Sequence, residues 1–195
     1  MLRLGLTGSI ATGKSTTLKA FADLGVPVFS SDDAVHELYA GAATVPVERA
    51  FPGVVRDGVI DRAELSHQLL ARPDRLRELE AIVHPLVRDK LAAFLDSARE
   101  SGAKLAVVDI PLLFETGFDY GLDRIAVTWC DPVIQRERAL KRPGMTVEKL
   151  EAILARQMPQ AEKKKRADYL FDTGRPVEAV REEVRALVEQ LNAEQ

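Results

Sequence analysis

Apolar and polar positions along the chain alternate between short apolar runs and longer stretches of helical spacing. LRLGLT (Leu2–Thr7) is short and mostly apolar, the pattern of a buried strand. After GSIATGKST, the residues Leu18, Phe21, Ala22 and Leu24 recur at helical spacing over 15–24, and Gly25 follows as a C-terminal cap. Val26–Phe29 predicts a second strand. From Asp32 to about Gly102 the pattern is helical, with helices expected over 34–39, 46–51, 61–70, 73–83 and 85–101. A break between the last two is predicted at His84-Pro85, because proline lacks an N–H and disfavours helical geometry in its predecessor. Pro52-Gly53 and Asp57-Gly58 predict turns. Strands return with LAVVDI (105–110), RIAVTW (124–129) and YLF (169–171), separated by a helical stretch from Pro132 to about Gln157 that breaks near Pro143-Gly144. A helix over 177–191 closes the pattern.

Strands alternating with helices imply an α/β architecture of three layers, with a mostly parallel central sheet and helices on both faces. Ligands of such sheets bind at the carboxyl ends of the strands. The division expected is a nucleotide-binding core of residues 1–33 and 103–195, a helical acceptor-binding insertion over 34–102, and a helical lid at about 134–160. The 195 residues, 46% hydrophobic and 29% charged, are ordinary for a globular chain. A net charge of −3 argues against a broad nucleic-acid-binding surface. Cys130 is the single cysteine, so neither an intramolecular disulfide nor a cysteine-rich zinc site is available, which fits a reducing compartment. With no signal-like leader and no long apolar run, the expectation is a cytoplasmic protein without membrane partners.

Charge and spacing bring in the chemistry. GSIATGKS (8–15) matches G-x-x-x-x-G-K-[ST] letter for letter. In that pattern loop N–H groups surround phosphates, Lys14 reaches the outer phosphates and the Ser15 hydroxyl ligates Mg²⁺ at a helix N-terminus. The predicted ATP-binding set is therefore Gly8, Ala11, Thr12, Gly13, Lys14, Ser15 and Thr16. Asp32, just past the second strand, has two readings, a carboxylate acting on an acceptor hydroxyl or an N-cap for the following helix; Ser31 and Asp33 are equally able to cap. Asp109 ends a run of apolar residues, as a Walker-B acid supporting magnesium through water does, or as a strand-end acid making a turn. Behind it, Pro111, Leu112, Leu113 and Phe114 form an apolar lip ending in Glu115. Arg136, Arg138 and Arg142 lie in the densest basic stretch, and the four-residue spacing of Arg138 and Arg142 suggests one helix face, either a lid over a transferring phosphoryl group or a solvated face. The run EKKKR (162–166) reads as solvated surface.

GLTGSIATGKST, SSDDAVH, LEAIVHP, VVDIPLLFE, RERALKR and RQMPQAEKKKRADYLFDTG occur in the order and spacing that resembles the dephospho-CoA kinase family, over nearly the whole chain. The resemblance implies ATP as donor, Mg²⁺, and dephospho-CoA as acceptor, phosphorylated on its ribose 3′-hydroxyl. It implies Lys14, Asp32 and Arg142 as catalytic residues, and His84, Pro85 and 111–115 near the acceptor. Ser9 and Ala11 stand where the family tends to have glycine, and alanine costs energy there if the backbone needs φ > 0. Ser30 stands where the family tends to have a first aspartate. Two other readings share the loop: another small-molecule kinase of the nucleoside-monophosphate-kinase fold, and a nucleotide-dependent binding switch. The second lacks support in Asp109-Ile-Pro-Leu, which is not the Asp-x-x-Gly of a GTPase switch.

Overall fold

The computed structural model describes residues 1–194. In chain order the elements are β1 (Leu2–Gly8), α1 (Lys14–Asp23), β2 (Val28–Ser30), α2 (Ser31–Tyr39), α3 (Thr44–Ala50), β3 (Val55–Arg56), β4 (Val59–Ile60), α4 (Arg62–Ala71) and α5 (Leu76–Glu100). They continue with β5 (Leu105–Asp109), β6 (Arg124–Trp129), α6 (Pro132–Leu140), α7 (Val147–Arg156), α8 (Gln160–Lys165), β7 (Tyr169–Asp172) and α9 (Val177–Ala193). The chain forms two compact units, Met1–Phe29 with the chain from Ala98 onward, and Ser30–Ser97.

The first unit is built on a five-stranded sheet of order β2-β5-β1-β6-β7. β1 is central and pairs in parallel with β5 (Leu6 opposite Asp109) and with β6 (Gly8 opposite Thr128), and β6 pairs in parallel with β7. Burial on both faces explains why β5 is apolar until its last residue. Leu4, Leu6, Phe21, Val107, Ala126, Phe171 and Val184 pack in one core, with the Phe21 and Phe171 rings edge to face at 6.0 Å. The register sends Gly8, Asp109, Trp129 and Asp172 to the carboxyl edge.

The second unit is helical around Leu38, Val47, Phe51, Val54, Leu65, Leu79 and Val83. The predicted Asp57-Gly58 turn is present with both residues at positive φ (52° and 78°), as a type I′ hairpin requires, and it joins two-residue strands that the sequence did not predict. The predicted break at His84-Pro85 is absent. α5 runs through Pro85 for 25 residues. Leu79 and Val83 lie on its buried face, with Ile82, Leu86 and Val87 packed beside them, whereas His84 and Pro85 are exposed. Burial on both sides of the proline thus holds the helix together against the loss of one hydrogen bond, a cost of about 3 kcal/mol.

Candidate functional site

The phosphate loop spans the end of β1 and the start of α1, and neighbouring strands explain its glycines. A Cβ on Gly8 would lie 2.1 Å from Thr128 Oγ1 and 2.6 Å from Thr12 Oγ1, so the first glycine is demanded by close approach. Gly13 precedes α1 with φ 76°, and a Cβ there would come within 2.9 Å of the Thr173 side chain. Ala11 also has positive φ, 61°. The substitution of alanine for glycine therefore falls at a strained position, about 1–2 kcal/mol for an L-residue. Burial of its methyl beside Ala139 and Leu150, worth about 0.8 kcal/mol, recovers part of that cost.

The residues expected to bind phosphate separate by orientation. Lys14 forms an ion pair with Asp109, both side chains largely buried. Ser15 and Thr16 are exposed at the N-terminus of α1. Thr12 is buried, with Oγ1 donating to the Ser9 carbonyl (2.8 Å) or sharing a proton with Thr128 Oγ1 (2.9 Å). Only its backbone is left to face a ligand. Among the described residues no group of three His, Cys, Asp or Glu side chains is placed to hold a metal. A hydroxyl and one carboxylate suit an ion such as Mg²⁺, which keeps most of its waters and takes other ligands from phosphate.

The basic stretch divides in a way its spacing did not show. α6 ends at Leu140, so Arg142 lies beyond the helix and shares no face with Arg138. Arg142 is exposed in the link to α7, whose backbone turns through Arg142 N–H to Ala139 C=O and Met145 N–H to Arg142 C=O, both 3.1 Å. Arg136 is exposed and 3.6 Å from Glu151 of α7. Arg138 donates to the Thr173 carbonyl at 2.8 Å and to its Oγ1 at 3.3 Å. Thr173 Oγ1 in turn lies 3.0 Å from the Thr12 carbonyl, so Arg138 braces the phosphate loop through Thr173. Burial pushes the thiol pKa of Cys130 up, although Arg138 opposes it, leaving a poor nucleophile.

Pro111–Glu115 form a turn after β5, with Leu112 exposed and Leu113 buried. Glu115, expected beside an acceptor, instead turns its carboxylate inward. Its Oε1 accepts the Met158 N–H and lies 2.8 Å from the ammonium of Lys163. Burial pushes the Glu115 carboxyl up, but Lys163 and the Met158 N–H outweigh it and hold the group below its ordinary value. Lys163 is completely buried, contrary to the solvated reading of EKKKR. α8 turns that one lysine inward while Lys164 lies over the Trp129 ring at 3.4 Å and Lys165 pairs with Glu162. A charge run hides such a residue because α8 is only six residues long, too short for a periodicity to show. Gln135, Gln157, Lys163 and Thr173 were all missed as functional candidates; the last three lie in the RQ…K…TG tail, whose letters carried the resemblance without suggesting a contact.

In the second unit, Ser30 rather than Asp32 caps α2, its Oγ accepting the Asp33 N–H at 3.1 Å. The capping reading of Asp32 is thereby removed. Asp32 is exposed in the first turn, on a cavity of about 510 Å³ also lined by Val35, Tyr39, Arg62, Leu65, Ser66, Leu69 and Leu79. The Arg62 guanidinium lies 5.4 Å from the Tyr39 ring centroid. Burial raises the Tyr39 phenol, with Arg62 opposing. His84 and Pro85 do not line this cavity.

The family model for dephospho-CoA kinase matches residues 2–177. A dephospho-CoA kinase of Rhizobium meliloti is 56% identical over 193 residues, 99% of this chain and the whole of that protein. A Thermus thermophilus protein of known structure superposes with a TM-score of 0.82 at 31% identity, covering 97% of each chain. The fold is also that of a dephospho-CoA kinase from Campylobacter jejuni, with a TM-score of 0.70 at 22% identity over 97% of this chain and 96% of that one. No helix among the described residues is long and apolar enough to cross a membrane.

Proposed function

The chain belongs to the dephospho-CoA kinase family, and from that premise we propose that it transfers the γ-phosphoryl group of ATP to the ribose 3′-hydroxyl of dephospho-CoA, giving CoA and ADP in the closing step of CoA synthesis. The observation that carries the phosphoryl-transfer half is the phosphate loop, whose two glycines are demanded by close approach and positive φ and whose lysine is already fixed by Asp109. Full-length similarity to dephospho-CoA kinases carries the choice of acceptor.

Each residue then has a physical task. Backbone N–H groups of the loop that are not already bonded within the fold, together with the positive end of α1, bind the donor phosphates, and Lys14 exchanges its contact with Asp109 for the outer phosphates. Ser15, and Asp109 through water, would hold Mg²⁺, whose charge offsets that building up on the transferring group. Arg142, exposed in a link between helices, is free to swing over that group and act in the transition state. Asp32, free of capping duty, orients or deprotonates the acceptor hydroxyl. Val35, Leu65 and Leu69 offer the acceptor apolar surface in the cavity beside Asp32, and Arg62 offers its phosphates a counter-charge. His84-Pro85 and the exposed Leu112 are further acceptor contacts that the family resemblance supports. Catalysis takes place in the cytoplasm, consistent with a single buried thiol.

A coupled ADP-release assay with ATP, Mg²⁺ and dephospho-CoA, followed by mass identification of the product, tests the reading. The expected product is CoA. Faster turnover of a nucleoside monophosphate or shikimate than of dephospho-CoA would overturn the choice of acceptor.

A further inference from the structure

Ile10, in the phosphate loop, has both backbone hydrogen-bonding groups occupied by side chains from distant elements. Its N–H donates to Gln157 Oε1 at 2.9 Å, and its C=O accepts from Gln135 Nε2 at 2.8 Å. Gln135 is buried in α6, and Gln157 ends α7. The two glutamines thus come from the two helices that flank the Arg142 link.

Neither contact is left to chance. Gln135 Oε1 accepts from Gln160 Nε2 at 2.8 Å, and Gln160 Oε1 accepts the Cys130 N–H at 3.1 Å. Every amide in this chain has one orientation that satisfies its neighbours, so the donor that meets the Ile10 carbonyl is set from the end of β6. Gln157 is held from the other side. The next residue, Met158, donates its N–H to Glu115 Oε1 at 2.8 Å, and that carboxylate is anchored by the fully buried Lys163. Glu115 Oε2 is buried with no hydrogen-bond partner, and the Lys163 ammonium meets Oε1 out of line for a hydrogen bond. Burying two charges this incompletely satisfied is costly, and a fold needing only stability would be better served by two apolar side chains.

We propose that Gln157 and Gln135 are positioning residues for phosphoryl transfer, which couple the setting of the phosphate loop at Ile10 to the α6–α7 arm, with Glu115–Lys163 fixing the hinge that carries Gln157. This rests on the phosphoryl-transfer reading above. The consequence is that the loop presents its remaining N–H groups to phosphate only when the arm bearing Arg142 is seated. A loop displaced by about 1 Å is enough to cost on the order of 100-fold in rate.

The test is Gln157→Met in the full chain, which keeps length and volume, at a half-buried site, and removes the amide whose oxygen accepts the Ile10 N–H. Expected are a melting temperature within about 2 °C of the wild type, a fall of about 10- to 100-fold in kcat at saturating substrates, and an acceptor KM unchanged within about 2-fold. Amide exchange at Ile10 is expected to accelerate at least about 10-fold, and ADP to bind more weakly. Gln157→Glu, which retains an oxygen acceptor, should restore the protection of Ile10. Unchanged kcat in Gln157→Met, a loss of rate that only tracks a loss of folded protein, or equal exposure of Ile10 in both variants would each overturn the proposal. Exchange and ADP titration need no acceptor, so a wild-type chain inactive on dephospho-CoA would sink the proposed reaction while these measurements still judge Gln157.

Discussion

Single side chains carry the sharpest tests. In the proposed mechanism Lys14 puts a point charge on the outer phosphates, so Lys14→Ala should lower turnover by at least about 100-fold in a protein that still folds, measured by ADP release and circular dichroism. Near-native turnover would remove the loop from the mechanism. Asp32 was ambiguous between cap and catalyst, and the Ser30 cap separates the two. Asp32→Asn should leave the melting temperature nearly unchanged and lower the single-turnover rate by roughly 10²–10⁴-fold, whereas Asp33→Asn should change neither. A fully active Asp32→Asn would exclude it. Arg142→Ala should reduce kcat more than it weakens ATP binding. Arg138→Ala should lower stability as well as rate, because it releases the Thr173 carbonyl beneath the phosphate loop.

At the scale of elements, α5 and α8 depart most from their sequence patterns. Pro85→Ala restores the N–H that the helix lacks and removes a ring clash on an exposed face, so the midpoint of denaturant unfolding should rise by the equivalent of about 1–2 kcal/mol. A drop would mean that the proline rather than the buried face holds α5 in place. In α8, Lys163→Met leaves the Glu115 carboxylate buried without its partner, an expected cost of about 3–5 kcal/mol at neutral pH, and adding Glu115→Leu should return most of it. The pH dependence follows from the same pair. Glu115 is held below the ordinary carboxyl value of 4.5, so its stabilisation is present above that value and lost as pH falls through the folded one. In Lys163→Met the unpaired carboxyl moves the other way, and protonation relieves it. The deficit relative to wild type should therefore shrink on acidification. A deficit constant with pH would assign the loss to packing alone.

At the scale of the molecule, what could be read from the chain was what is local along it. A strand, the loop GSIATGKS and a helix are contiguous, so the order of loop, lysine and serine is set by neighbours in sequence, and the parallel sheet follows from alternating β and α patterns. The match to dephospho-CoA kinases extends over nearly the whole chain. Tertiary structure decided what depends on partners far away in the chain. Pro85 sits inside a helix because apolar residues on both sides of it are buried, an energy that no local propensity contains. Ser30 is the cap because α2 begins at Ser31, directly at the end of β2 and three residues before the helix that the sequence predicts over 34–39. Lys163 is buried, and Gln157 meets Ile10 across 147 positions, because the packing of α7 and α8 on the sheet's carboxyl edge selects which side of a polar segment faces inward. Hydrophobic patterning marks apolar faces, and it is blind to a polar side chain whose burial is compensated by a hydrogen bond from the other end of the fold.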